Sequence, residues 1–171
     1  MPEPAVSRTV FRGGWVQVDE EEWPGVGTWE VVRTYDAAAV LPLTPAGDAI
    51  LVRQFRPGAR RVITEIPAGL LDVEGEEPEA CVARELFEET GYRHDTITRL
   101  GGVHLSPGSS TEFVSLYVAR TPAEPEGPPE DGIELVRRPF AGLVEEARAG
   151  RIDDAKTALA LLMADVRTAG G

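Results

Sequence analysis

Between Glu76 and Tyr92 the chain reads E-E-P-E-A-C-V-A-R-E-L-F-E-E-T-G-Y, which sets Glu85, Glu88 and Glu89 close together beside Arg84. Side chains at i, i+3 and i+4 of a helix share a face, so three such carboxylates crowd and repel unless a cation lies among them. Oxygen donors suit a hard divalent ion, magnesium first and manganese second. A solvated acidic helix is the plain alternative for any acidic run. Whether neighbouring residues stand in the register that a site demands decides between the two.

The segment carries its own helix signals. Pro78 suits a first turn, Glu76, Glu77 and Glu79 favour the positive N-terminal end, and Gly91 provides the stop. Ala80, Cys81, Val82, Ala83, Leu86 and Phe87 supply an apolar surface for docking, which leaves the glutamates facing a cleft. Ahead of the helix, residues 62–66 have strand character and Pro67-Ala68-Gly69 makes a loop, so the order is strand, loop, helix.

Taken together, Glu76, Arg84, Glu85, Leu86, Glu88, Glu89 and Gly91 resemble the Nudix signature G-x5-E-x7-R-E-U-x-E-E-x-G-U, where U is a bulky apolar residue and Tyr92 takes the last place. One departure stands out: six residues separate Gly69 from Glu76 where the signature has five. The extra residue falls in turn-like Asp72-Val73-Glu74-Gly75, where an insertion costs little. The resemblance implies Gly69, Glu76 and Gly91 as shaping residues of the box. It implies Glu85 and Glu89 as main metal ligands, Glu88 completing the shell and the Ala68 carbonyl contributing from the loop. Arg84 would pair with Glu76 and orient the glutamates. The implied chemistry is cleavage of a pyrophosphate by metal-activated water.

Residues Val52 to Pro57, V-R-Q-F-R-P, and Glu65 to Asp72, E-I-P-A-G-L-L-D, resemble the ADP-ribose pyrophosphatase subgroup, as does Pro107, sixteen residues past Gly91. That implies ADP-ribose or a related ADP-sugar as substrate, with AMP and a sugar phosphate as products. Arg53, Arg56, Glu65, Pro107 and Glu112 are the implied substrate contacts, although Glu112 reads equally well as the lead-in to a strand. A late-loop carboxylate, Glu130 or Asp131, would help activate the water. The subgroup also implies a homodimer whose N-terminal sheet shapes the partner's nucleoside pocket, and Trp15, Trp23 and Trp29 suit such a sheet. Two other readings stay open. One is another nucleoside diphosphate derivative or a nucleoside triphosphate as substrate; the other is a non-catalytic Nudix-fold ADP-ribose sensor, which could have dispensed with Glu85, Glu88 and Glu89.

A chain of 171 residues with 42% hydrophobic content can bury one sizeable core. Its net charge of −12 argues against nucleic acid as a partner, because a phosphate backbone needs a basic surface. Arg53, Arg56, Arg60 and Arg61 nonetheless form a local basic rim suited to a small anion. No apolar run approaches a membrane span, and Met1 to Thr9 lacks signal-peptide character, so a cytoplasmic enzyme without membrane partners is expected. Cys81, on the apolar face, reads as a packed thiol, and His94 and His104 lack metal-ligand spacing.

Strand patterns occur at residues 29–34, 37–43, 49–55 and 113–119, with Pro45-Ala46-Gly47-Asp48 as a hairpin turn. Residues 139–149 and 153–168 read as helices, the second capped by Asp153 or Asp154 and turning Ala158, Leu159, Leu161, Leu162 and Val166 inward. The pattern predicts an α/β domain; the resemblance implies an α/β/α sandwich with a mixed sheet over residues 35–171, preceded by an N-terminal β segment, residues 1–34. The Pro/Gly-rich acidic stretch from Thr121 to Gly132 has the composition of a mobile lid or a disordered insertion.

Overall fold

The computed structural model describes residues 3–169, so Met1, Pro2, Gly170 and Gly171 of the two expected segments lie outside the described residues. Three strands come first, β1 (Val6–Arg12), β2 (Gln17–Trp23) and β3 (Gly27–Arg33), forming an antiparallel sheet of their own in the order β1-β2-β3. Then follow β4 (Ala37–Leu43), β5 (Asp48–Arg56), β6 (Arg61–Glu65), β7 (Ala68–Leu70), α1 (Pro78–Thr90), β8 (Thr96–His104), β9 (Phe113–Arg120), β10 (Glu134–Pro139), α2 (Phe140–Arg148) and α3 (Ala155–Ala169). The second sheet runs β10-β5-β4-β9-β8, with β6 paired to β5 and β7 to β4.

Strand β4 explains the layering. Every residue of A-A-A-V-L-P-L is buried, because both faces of this central strand are covered. Ala39, Leu41 and Leu43 pack into a core with Leu143, Val144, Ala160 and Leu161 of α2 and α3, while Ala38 and Val40 face Cys81, Val82 and Leu86 of α1. The period of two in a strand thus yields a helix layer on each side, an α/β/α arrangement. β4 is parallel to β9 over its whole length. Against β5 it makes the single pair Leu43↔Ala49, next to Pro42, which has no N–H to donate. The space left beside the strand is taken by β7, which pairs Ala37, Ala38 and Ala39 with Leu70, Gly69 and Ala68. This insertion brings the loop ahead of α1 to the centre of the sheet.

Helix α1 has the bounds its signals predict, with Pro78 in its first turn and Gly91 left-handed at φ 71° as its stop, the Gly91 N–H donating to the Phe87 carbonyl. At α3 the cap is Asp154, whose carboxylate accepts the Thr157 N–H at 2.9 Å. Val166 departs from expectation: it is 71% exposed, and Ala160, Leu161 and Ala164 make the buried stripe instead. Strands β1 and β2 fall within the expected N-terminal β segment, and β7, β8 and β10 add to the strands the sequence announced.

The acidic stretch after Thr121 is neither disordered nor detached. The Thr121 N–H bonds the Leu43 carbonyl and the Glu126 N–H bonds the Gly91 carbonyl at 2.8 Å. Among the described residues no helix is long and apolar enough to cross a membrane.

Candidate active site

Helix α1 docks through Cys81, Val82 and Leu86, all buried, and this fixes which face its glutamates present. Cys81 is a packed thiol as expected, its pKa pushed up to about 12 by burial. Arg84 is the hub of the polar face. Its Nε and Nη2 each donate to Glu76 at 2.9 Å, a two-pronged pair, while Nη1 reaches Glu85 at 2.6 Å and Glu88 at 3.0 Å. Hydrogen bonding to Arg84 holds the Glu76 carboxyl below its usual range. The extra residue before Glu76 is absorbed in a turn closed by the Glu76 N–H to the Val73 carbonyl, with Gly75 left-handed at φ 78°. Glu76 therefore reaches Arg84 despite the longer loop.

The β6–β7 loop closes on the glutamates from the other side. A Cβ placed on Gly69 would sit 2.0 Å from Glu85 Oε1 and 2.4 Å from its Cγ, so only glycine lets Glu85 lie against this backbone. One residue earlier, the Ala68 N–H donates to Glu89 Oε2 at 3.1 Å. Glu89 is only 6% exposed, and burial raises its pKa to about 7 despite that hydrogen bond. Burial likewise raises Glu85, with the charges of Glu88 and Glu130 adding to the shift against the pull of Arg84.

Among the described residues no three carboxylates, imidazoles or thiols converge into a ready cation cage. Arg84 explains this, since its Nη1 is shared by Glu85 and Glu88 and substitutes for a cation there. The donor set still fits a divalent ion. Glu85 and Glu89 are desolvated carboxylates flanking the Ala68-Gly69 backbone, and burial raises the pKa of each, a cost that a bound cation would offset.

Ala68 and Gly69 also line a cleft of about 760 Å³, together with Arg56, Glu65, Glu112 and Lys156. Arg56 Nε donates to buried Glu65 at 2.6 Å, and Lys156 bonds both Glu65 and Asp154, the latter at 2.9 Å. Lys156 was not anticipated. The available signal was its singularity: it is the only lysine in the chain, in the first turn of an apolar helix. Arg53 does not line this cleft; it pairs with Glu134 at 3.0 Å, beside the acidic loop. Pro107 lies in a second cavity of about 560 Å³ between the loop 105–111 and the first sheet, facing Trp23 and Trp29. The Val32 N–H to the Ser109 carbonyl, 2.8 Å, and the Thr111 N–H to the Val32 carbonyl, 3.0 Å, tie the two together. Trp15 lies outside that cavity and is 69% exposed, while His104 contacts the Glu112 carbonyl and the Phe113 ring.

Known proteins resemble this chain in sequence and fold. The model of the NUDIX domain family matches residues 33–161. The ADP-ribose pyrophosphatase of Bacillus subtilis (strain 168) is 37% identical over 136 residues, 77% of this chain and 73% of that protein. A methanol dehydrogenase activator from Bacillus methanolicus is 36% identical over 152 residues, covering 85% and 82%. The GDP-mannose pyrophosphatase of Cronobacter sakazakii (strain ATCC BAA-894) is 36% identical over 151 residues, covering 77% and 78%. The crystal structure of an ADP compounds hydrolase superposes with a TM-score of 0.81 at 22% identity, covering 99% of this chain and 95% of that one, a likeness of fold. With that span of matched residues and relatives of this similarity, the chain belongs to the Nudix family of hydrolases.

Proposed function

We propose that this hydrolase is a magnesium-dependent pyrophosphohydrolase that cleaves ADP-ribose, or a closely related ADP-sugar, to AMP and a sugar phosphate. The observation that carries the reading is the abutment of Glu85 and Glu89 on the Ala68-Gly69 backbone at the edge of the cleft. The likeness to the Bacillus subtilis ADP-ribose pyrophosphatase supports the choice of substrate.

Glu85, Glu88 and Glu89 would hold the ion together with the Ala68 carbonyl. A bound magnesium supplies charge neutralisation of the diphosphate and a more acidic attacking water. Arg84 keeps Glu76, Glu85 and Glu88 in place, and Gly69 leaves room for Glu85. Glu130 is the assigned proton acceptor, because its charge is felt at Glu85, and Asp131, next in the chain, is the alternative. Arg56, balanced by Glu65, offers positive charge for a phosphate, Glu112 borders the same cleft, and Arg53 acts at its margin through the loop. Pro107, Trp23 and Trp29 would hold the base in the second cavity, with residues 1–34 serving a homodimer that works in the cytoplasm.

Incubation of purified protein with ADP-ribose and magnesium should release AMP, and release should stop with chelator. Absence of turnover on ADP-ribose and ADP-glucose would sink this substrate assignment. A GDP-sugar is the second reading, favoured by the GDP-mannose pyrophosphatases among the relatives. Stronger inhibition by GMP than by AMP would establish it.

A further inference from the structure

Strands β5 and β6 pair antiparallel, with Val52 opposite Glu65, Gln54 opposite Ile63 and Arg56 opposite Arg61. Alternate residues of a strand share a face and directly opposed ones lie about 5 Å apart, so Gln54 stands on the same ribbon face as Ile63, Arg56 and Glu65. Those three line the cleft beside Ala68 and Gly69. The charged side chains of this face are matched. Glu65 accepts from Arg56 through Oε1 and from Lys156 through Oε2, and Arg61 pairs with Asp153. Gln54 is the exception: its amide nitrogen Nε2 is buried with no hydrogen-bond partner, a condition shared among the described residues only with the Thr121 hydroxyl. Thr121 stands at the Leu43 end of β4, whereas Ala37, at the other end, borders the cleft.

We infer that Gln54 is a further substrate contact, its amide donating a hydrogen bond to a diphosphate oxygen held beside Arg56. The inference rests on the reading of this cleft as the place of the substrate's diphosphate. A buried donor without an acceptor opposes folding, and its retention on a cleft-lining face points to a partner from outside the chain. The neighbours select that partner. Arg56 stands two residues along the same face, roughly 7 Å away, and favours an incoming negative charge. The carboxylate diagonal to Gln54 across the ribbon, Glu65, is already occupied by two cations. A phosphate oxygen accepts hydrogen bonds and donates none, which suits an NH2 group, whereas a sugar hydroxyl lacks the charge that Arg56 attracts.

A donor kept for a ligand and a donor used by the fold predict opposite signs on removal. Gln54→Met keeps the length of the side chain and deletes the donor. Without ligand its Tm should equal or exceed that of the wild type, because an unmatched buried amide has gone. Its KM for ADP-ribose should rise about tenfold or more, the loss expected for a hydrogen bond to a charged group, with kcat held within about threefold. Gln54→Glu sets a negative charge at the same place and should raise KM further. The Tm gain on adding ADP with magnesium should shrink in both variants, a readout independent of turnover. A lower Tm of Gln54→Met without ligand would show that the amide serves the fold, and overturns the proposal. So does an unchanged KM in both variants while Arg56→Ala raises it. If Arg56→Ala also leaves KM and the ADP response unchanged, the placement of the diphosphate in this cleft is overturned, a failure distinct from that of Gln54.

Discussion

Two acidic clusters in this chain are built from the same residue types and treated in opposite ways. In the first sheet Asp19 accepts from Thr9 at 2.8 Å, Gln17 at 2.6 Å and Arg33 at 2.5 Å, while Glu21 pairs with Arg33 and accepts from Trp23 Nε1 at 3.0 Å. These two carboxylates are covered by their partners' side chains with no helix layer above them, and hydrogen bonds from Thr9 and Arg33 hold Asp19 below its usual pKa. On α1 burial pushes Glu85 and Glu89 upward instead. Arg33 serves both carboxylates of the first cluster, whereas in the second Arg84 serves Glu76, Glu85 and Glu88 and leaves Glu89 only a backbone N–H. A perturbed carboxylate without a matching internal cation marks the functional site, and a satisfied one marks structure.

The sharpest break of this contrast is Glu89→Gln. It should reduce turnover on the order of a hundredfold or more, the several kcal/mol that a lost metal contact costs. The same change should raise metal-free stability at pH 8 by on the order of 1–3 kcal/mol, since it removes a buried charge whose pKa burial has raised to about 7. Chemical denaturation with and without magnesium checks both halves; a variant less stable than wild type at pH 8 without metal would collapse the contrast.

Gly69→Ala comes next. Its Cβ would force Glu85 off the loop, and a displacement of about an ångström can cost on the order of a hundredfold in rate. The circular dichroism spectrum should stay unchanged while kcat falls.

A pH series sharpens the comparison further. Because the folded pKa of Glu89, about 7, lies above its ordinary 4.5, its contribution to metal-free stability is full below pH 4.5 and is lost as pH rises through 7. The Tm gain on adding magnesium should therefore grow across that window in wild type and stay flat in Glu89→Gln.

Smaller still is the effect of Arg33→Met on the site. It should accelerate amide exchange in β2 and β3 and leave the magnesium titration unchanged, and a shifted titration would show that the two clusters are not independent.

Local chemistry decides what can be read from sequence. Helix α1 was legible because its Pro78 start, Gly91 stop and box spacing all lie within one short segment. Strand β2, Q-V-D-E-E-E-W, has weak strand propensity, and its pairing depends on Arg33 from the neighbouring strand. Strand β8 was hidden by Gly101 and Gly102, residues that weaken a strand pattern; their missing side chains admit Met163 and the Phe113 ring. Val166 continued the apolar period of α3 beyond the part of the helix that faces the core. Within the site, Glu85, Glu88, Glu89 and Arg84 followed from spacing, whereas Lys156 joins Glu65 across 91 residues and no local pattern signals that contact. Glu130 and Asp131 are adjacent and chemically alike, so no sequence spacing separates them.

Having one lysine gives the cleft a chemical address. Lys156 is 12% exposed, its ammonium occupied by Glu65 and Asp154. Apart from an α-amine, any amine-directed label on the chain can report only on this wall. Labelling should be slow in the wild type and should quicken in Glu65→Gln, where the ammonium loses a charged partner. A ligand filling the cleft should suppress it, so the extent of modification would read out occupancy with no need for turnover.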